Sequence, residues 1–290
     1  MKIVELTYRY DGAEASGRPR PANADAARVR LDDGSQSIAA LLASLTDGTG
    51  VAQRVIHVDP EDLGVAGGDR RAPLQRPYAA VLGCSDARVP IELVFNEGPN
   101  DLFVVRVAGN GLGAEVLGSL KYAADHLGES LKLVVVLGHS GCGAVTAAVD
   151  VYLKPGEYLA LAAKHALRSI LDRLLVVINA AAKRMAEVHG LDVTRRPGYR
   201  AALIEAASVS HAALGAYTLQ QELGGTGAGQ LRAAYGVYLL DRRAVWAPRG
   251  GSTECTGLAY PPSDLAEFGA FGEAVVRSER IVALLDRGAE

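Results

Sequence analysis

Two apolar runs in this chain end in residues that bind metals. Tyr78-Ala79-Ala80-Val81-Leu82-Gly83 leads into Cys84-Ser85-Asp86-Ala87-Arg88, and Leu133-Val134-Val135-Val136-Leu137-Gly138 leads into His139-Ser140-Gly141-Cys142. Short apolar runs bounded by glycine and small polar residues read as buried strands. Strands covered on both faces belong to parallel sheets. Parallel strands deliver their carboxyl ends to the same edge, so neighbouring strands would bring Cys84, His139 and Cys142 together. Two thiolates and one imidazole form a donor set that suits zinc.

The surrounding order supports that reading. From Pro77 the pattern runs strand (Tyr78–Leu82), short helix (Pro90–Phe95), strand (Leu102–Val107), Gly-rich turn, helix (Ala114–Leu127), strand, and helix from about Gly143 to Tyr152. Alternation of strand and helix predicts an α/β fold, with a mostly parallel central sheet flanked by helices. Ligands of such sheets bind at the carboxyl ends of the strands, where both motifs fall. Glu157 to His189 and Arg200 to Leu223 read as long helices, Ala233 to Leu240 as a strand that closes the sheet, and Phe268 to Leu285 as a C-terminal helix. Before the core, Met1 to Tyr8 reads as a strand, Asp11 to Asp25 as loop, Ser37 to Leu45 as helix and Asp59 to Arg76 as turns. The organisation expected is an N-terminal extension (1–70), a zinc-binding α/β domain (71–250) with a helical insert at about 151–230, and a helical tail (251–290).

Asp86 and Arg88 flank the first thiolate. In an extended segment, alternation would put Cys84, Asp86 and Arg88 on one side. A carboxylate held by a guanidinium stays ionised and accepts a hydrogen bond from a metal-bound water; otherwise the two form a structural ion pair. A zinc with three protein ligands and an open position lowers the pKa of its water to about 7. Two thiolates donate more charge than imidazoles and weaken that effect. Asp86 could also swing onto the metal as a fourth ligand and close the site.

Composition narrows the class. Of 290 residues, 49% are hydrophobic and 22% charged, which is ordinary for a globular chain. The net charge of −3 gives no footprint for nucleic acid. Three cysteines are too few for a disulfide framework, and two sit in a ligand pattern, so a reducing compartment, the cytoplasm, is expected. The N-terminus lacks the apolar core of a signal peptide, and Leu133 to Val149 is strand, loop and helix start rather than a membrane span.

With these motifs in hand, the sequence resembles the β-class carbonic anhydrases. The resemblance rests on Gly83-Cys84-Ser85-Asp86-Ala87-Arg88-Val89-Pro90, Asp101-Leu102-Phe103-Val104-Val105-Arg106-Val107-Ala108-Gly109-Asn110, Leu120-Lys121-Tyr122-Ala123 and Gly138-His139-Ser140-Gly141-Cys142-Gly143, covering roughly Gln75 to Val149. It implies zinc on Cys84, His139 and Cys142, with Asp86 and Arg88 as gate and proton acceptor. It implies reversible hydration of CO2 to bicarbonate through a zinc-bound hydroxide, in a homodimer or larger assembly whose pockets are completed by a neighbouring subunit. Gln75, nine residues before Cys84, stands where the family has a substrate hydrogen-bond donor. Phe103 and Tyr122 stand where it places aromatic pocket residues, or they are simply core; Gly143 borders the same pocket.

The chain also departs from the family. Ala87 replaces a common Ser. Val81 stands where an allosteric subgroup has a Trp, so that subgroup's bicarbonate trap is not expected although Arg106 is present. The stretch from Val151 to Gln230 is longer than usual. Related hydrolases of COS or CS2 share the fold and zinc set, and a non-catalytic zinc-stabilised assembly would keep Asp86 on the metal. Gly109-Asn110-Gly111-Leu112-Gly113-Ala114 fits a dinucleotide-binding turn, but the next strand ends in Gly138-His139 instead of the acidic residue that would hold a ribose. Cys255 reads as structural or a spare thiol. His57, His126, His165, His189 and His211 have no ligand-like spacing.

Overall fold

The computed structural model describes residues 2–15, 19–46, 50–64, 72–158, 165–224, 231–248 and 256–287. Its centre is a five-stranded sheet built from β3 (Ala79–Gly83), β4 (Leu102–Arg106), β5 (Leu133–His139), β6 (Arg232–Leu239) and β7 (Ala244–Trp246), in the order β4-β3-β5-β6-β7. The first four strands are parallel and β7 is antiparallel to β6. Every residue of β3 and β5 is buried, as their uninterrupted apolar sequences require.

Side chains alternate between two cores. Ala80, Leu82, Val134 and Val136 point to one face, where they pack with residues of α3 (Ala114–His126), α4 (Gly143–Leu153), α5 (His165–His189) and α6 (Tyr199–Leu223). Ala79, Val81, Leu133, Val135 and Leu137 point to the other, against Ala24, Ala27 and Leu31 of α1 (Ala24–Ala43) and Ile91 and Phe95 of α2 (Ile91–Phe95). The two C-terminal helices, α7 (Leu265–Arg277) and α8 (Glu279–Asp286), bury Phe271, Val275, Ile281 and Leu285 in the first of these cores. Helices α1, α7 and α8, from the two flanks of the chain, are therefore packed into these cores.

Several boundaries differ from the sequence expectation. α1 starts at Ala24, not near Ser37, because the Asn23 side chain accepts from the Ala26 N–H at 2.9 Å and caps it. β2 (Gly50–Val58) was not anticipated. It pairs in parallel with β1 (Lys2–Tyr10) in a separate two-stranded sheet. β6 is not the last strand, since β7 adds an antiparallel edge. The C-terminal helix is two helices broken at Ser278, whose extended ψ of 144° ends α7 and whose side chain caps α8. The helix expected from Glu157 is seen from His165, and Cys255 lies outside the described residues.

Candidate metal centre

The chain leaves β3 toward β4 on one side and returns to β5 on the other. That reversal opens a crevice at the carboxyl ends of the two central strands. Gly83 pairs with Leu137, so Cys84 and His139 emerge side by side. Ser140 ties the second motif down: its N–H donates to the Tyr238 carbonyl at 3.0 Å, and its hydroxyl accepts from the Leu240 N–H at 2.9 Å. Gly141, at φ 62°, turns the chain so that Cys142 falls at the N-cap position of α4.

The three predicted ligands meet. One donor atom each from Cys84, His139 and Cys142 lies within 4.8 Å of the others, and all three residues are buried. His139 Nδ1 lies 3.0 Å from the Ser140 carbonyl, which can only accept, so Nδ1 carries the proton. Nε2, the other ring nitrogen, is buried and makes no hydrogen bond. An orphaned imidazole nitrogen facing two sulfurs fits a bound cation.

The sulfurs are prepared for the same role. The interaction of the two thiols draws Cys84 far below its ordinary range and pushes Cys142 up. The Gly109 N–H, 3.4 Å away, and the Asp86 N–H also favour a thiolate at Cys84. The Val145 and Ala144 N–H groups at the start of α4 do the same for Cys142.

Asp86 faces this centre without joining it. Its Oδ2 is 3.8 Å from His139 Nε2. Arg88 donates to Asp86 Oδ1 from its backbone N at 2.9 Å and from Nε at 3.0 Å, and to Oδ2 from Nη2 at 2.7 Å. The Arg88 guanidinium holds the Asp86 carboxyl well below the usual carboxylate range, against a smaller opposing effect of burial. The pair arises differently from the alternation expected of an extended segment. Val89 N–H donates to the Asp86 carbonyl, so residues 86–89 form a turn, and the aspartate side chain closes it on the Arg88 N–H.

Arg106, singled out in the sequence only for an allosteric trap, braces this loop. Its guanidinium donates to the Cys84 carbonyl at 3.0 Å and the Asp86 carbonyl at 2.6 Å. His211 was also passed over. It donates through Nε2 to the Gly109 carbonyl at 3.0 Å, and burial lowers its proton affinity. The 102-residue separation hides this contact from any local pattern.

The expected pocket residues are dispersed. Gly143 stands beside Cys142 with open space where a side chain would be. Gln75 is exposed on the segment that enters β3, next to Arg76, whose N–H bonds Asn100 ahead of β4; this is the opposite end of the sheet from Cys84. Phe103 is near the start of β4, partly buried against the first core. Tyr122 is 51% exposed on α3 and stacks on His126 at 4.4 Å. Phe103 thus packs against the cluster that contains Cys84 and Cys142, whereas Gln75 lies at the other end of β3 and Tyr122 is exposed on α3. Gly109 of the Gly109–Ala114 turn holds the Cys84 sulfur, which accounts for that glycine without a nucleotide.

Residues 79–215 match the family model described as Carbonic anhydrase. Over 84 residues the chain is 49% identical to carbonic anhydrase 2 of Mycobacterium tuberculosis, spanning 28% of this chain and 40% of that protein. Over 92 residues it is 49% identical to a carbonic anhydrase of Mycolicibacterium smegmatis, spanning 31% and 43%. The chain thus covers less than half the length of these curated relatives. Among solved structures, a tetrameric β-carbonic anhydrase of Sordaria macrospora aligns over 60% of this chain and 81% of its own, with 19% identity and a TM-score of 0.46.

Proposed function

Since residues 79–215 match the family model described as Carbonic anhydrase, we propose that this chain catalyses the reversible, zinc-dependent hydration of CO2 to bicarbonate. The observation that carries the proposal is the buried Cys84–His139–Cys142 triad with a free imidazole nitrogen, set beside a carboxylate that Arg88 keeps off the donors. Zinc, the cofactor of this family, supplies a Lewis acid that makes water nucleophilic at neutral pH.

The chain's own residues do the rest. Asp86 accepts a hydrogen bond at Oδ2 and so orients the water toward substrate. Its depressed proton affinity makes it an orienting acceptor and a poor proton store, so the released proton passes on to buffer. Arg88 and Arg106 fix the loop that carries Asp86. Gly143 leaves room over the first turn of α4, where backbone N–H groups favour the developing negative charge of bicarbonate.

We assign Gln75 and Tyr122 to the pocket of a second copy, because Gln75 lies before β3 at the opposite end of the sheet and Tyr122 is exposed on α3; Phe103, packed against the cluster of Cys84 and Cys142, stays with its own chain's centre. This makes a homodimer the smallest complete unit. The catalytic unit spans about residues 71–250, covered by the flanking layers. Among the described residues no helix is long and apolar enough to cross a membrane. Two thiolate ligands favour a reducing compartment, the cytoplasm, in this reading.

Stopped-flow CO2 hydration by the zinc-loaded protein, with COS and CS2 run in parallel, tests the reading. CO2 turnover well above the other two is expected. Hydrolysis of COS or CS2 without CO2 turnover would transfer the chain to that chemistry, and zinc with no turnover would make it a binding protein.

A further inference from the structure

The long helices after Val151 leave a mark on the metal centre. We propose that His211, on α6, is a positioning residue for the zinc site: it pins the Gly109 backbone so that the Gly109 N–H stays on the Cys84 sulfur. This inference rests on the zinc reading above.

The contacts form a continuous chain. His211 Nε2 is 3.0 Å from the Gly109 carbonyl, and Gly109 N is 3.4 Å from Cys84 Sγ. The carbonyl only accepts, so Nε2 carries the proton, and the buried ring is neutral. Gly109 sits at φ 70°, a conformation that L side chains avoid and that a free peptide would leave readily. Walls close around it: a Cβ there would lie 3.0 Å from Ala144 of α4, 3.7 Å from Ile170 and 3.9 Å from Leu174 of α5. His211 holds the remaining side. Elements from across the long post-ligand segment therefore converge on one peptide.

The consequence is chemical. An N–H donated to a thiolate withdraws charge from the sulfur. In a site with two thiolates that keeps the metal a stronger Lewis acid than the donor set alone would. Partners in the outer shell of a metal site typically change metal affinity about 10- to 100-fold when removed.

The test compares wild type, His211→Ala and His211→Gln. Glutamine can present an N–H where Nε2 stands; alanine cannot. Chelator competition should show zinc held about 10- to 100-fold more weakly by His211→Ala, and most of the loss restored in His211→Gln. The pH midpoint of CO2 hydration should rise in the first variant and return in the second. Unchanged zinc affinity in His211→Ala would overturn the proposal. So would equal losses in both variants, which would mean that the ring acts by packing. If His211→Ala does not fold, cadmium-113 wild-type protein still decides. NMR should show scalar coupling between the metal and the Gly109 amide proton, and its absence would refute the contact. Wild type that binds zinc tightly yet never hydrates CO2 would sink the catalytic reading while leaving these affinity and coupling tests intact.

Discussion

Replacing Gly109 with alanine should destabilise the metal-free protein by about 2–3 kcal/mol. Two costs add. At φ 70° a Cβ meets the local backbone, which costs about 1–2 kcal/mol. The new methyl would also stand 3.0 Å from Ala144 Cβ, closer than carbon atoms sit, and the low end of overpacking costs is about 1 kcal/mol. Gly111, two residues on, is the control. Its φ of −78° and ψ of 140° suit any residue, and a Cβ there finds only Arg173, 3.8 Å away. Gly111→Ala should therefore stay within about 0.5 kcal/mol of wild type. Urea unfolding of chelator-treated wild type, Gly109→Ala and Gly111→Ala measures both. Metal must be removed because binding to the native state adds its own stabilisation. Equal stabilities for the two variants would refute the packing and backbone reasoning, and with it the view that this turn is shaped for Cys84 instead of a nucleotide.

Further outcomes are expected. Asp86→Asn should retain zinc and thermal stability, because Arg88 is largely exposed, yet lose about 10²- to 10⁴-fold in CO2 hydration; full activity would remove Asp86 from the mechanism. Its pH profile is equally specific. The Asp86 proton affinity is lowered in the folded state, so its contribution to stability is present above about pH 4 and is lost only as pH falls further. An activity midpoint near neutrality in wild type thus belongs to another group, and Asp86→Asn should change the amplitude of the profile more than its midpoint. Arg280→Met strands Glu205, whose side chain is 11% exposed, and should cost about 3–5 kcal/mol in denaturant unfolding. Asp241→Asn, on the same arginine but 56% exposed, should cost under about 1 kcal/mol. Cys84→Ser should lose zinc and CO2 hydration together, measured by metal analysis and stopped flow on one preparation.

The parallel core was legible because β3 and β5 are apolar throughout, and such strands have nowhere to lie but between two helical layers. The ligands were legible for the same reason: each follows its strand directly, and the order of the strands decides that they meet. β2 was hidden by Gln53, Arg54 and His57, polar residues on a strand that stays half exposed in its two-stranded sheet. The start of α1 was obscured by Arg28, Arg30, Asp32 and Asp33. Arg28 pairs with Asp32 one turn on, while Arg30 pairs with Glu97, far along the chain. The Asp86–Arg88 pair was read correctly as a pair but from the wrong backbone, because alternation and a tight turn both bring residues i and i+2 together. His211 was invisible, since its meaning lies in a carbonyl 102 residues away. Gln75 was placed by its spacing from Cys84 alone, and spacing does not show that it enters β3 at the end of the sheet opposite Cys84.

Zinc K-edge X-ray absorption on the zinc-loaded wild-type protein reads the ligands of the metal. Two sulfur neighbours at about 2.3 Å and two nitrogen or oxygen neighbours at about 2.0–2.1 Å are expected, supplied by Cys84, Cys142, His139 and one exchangeable ligand. A shell without sulfur, or with three or more sulfurs, would contradict this ligand set.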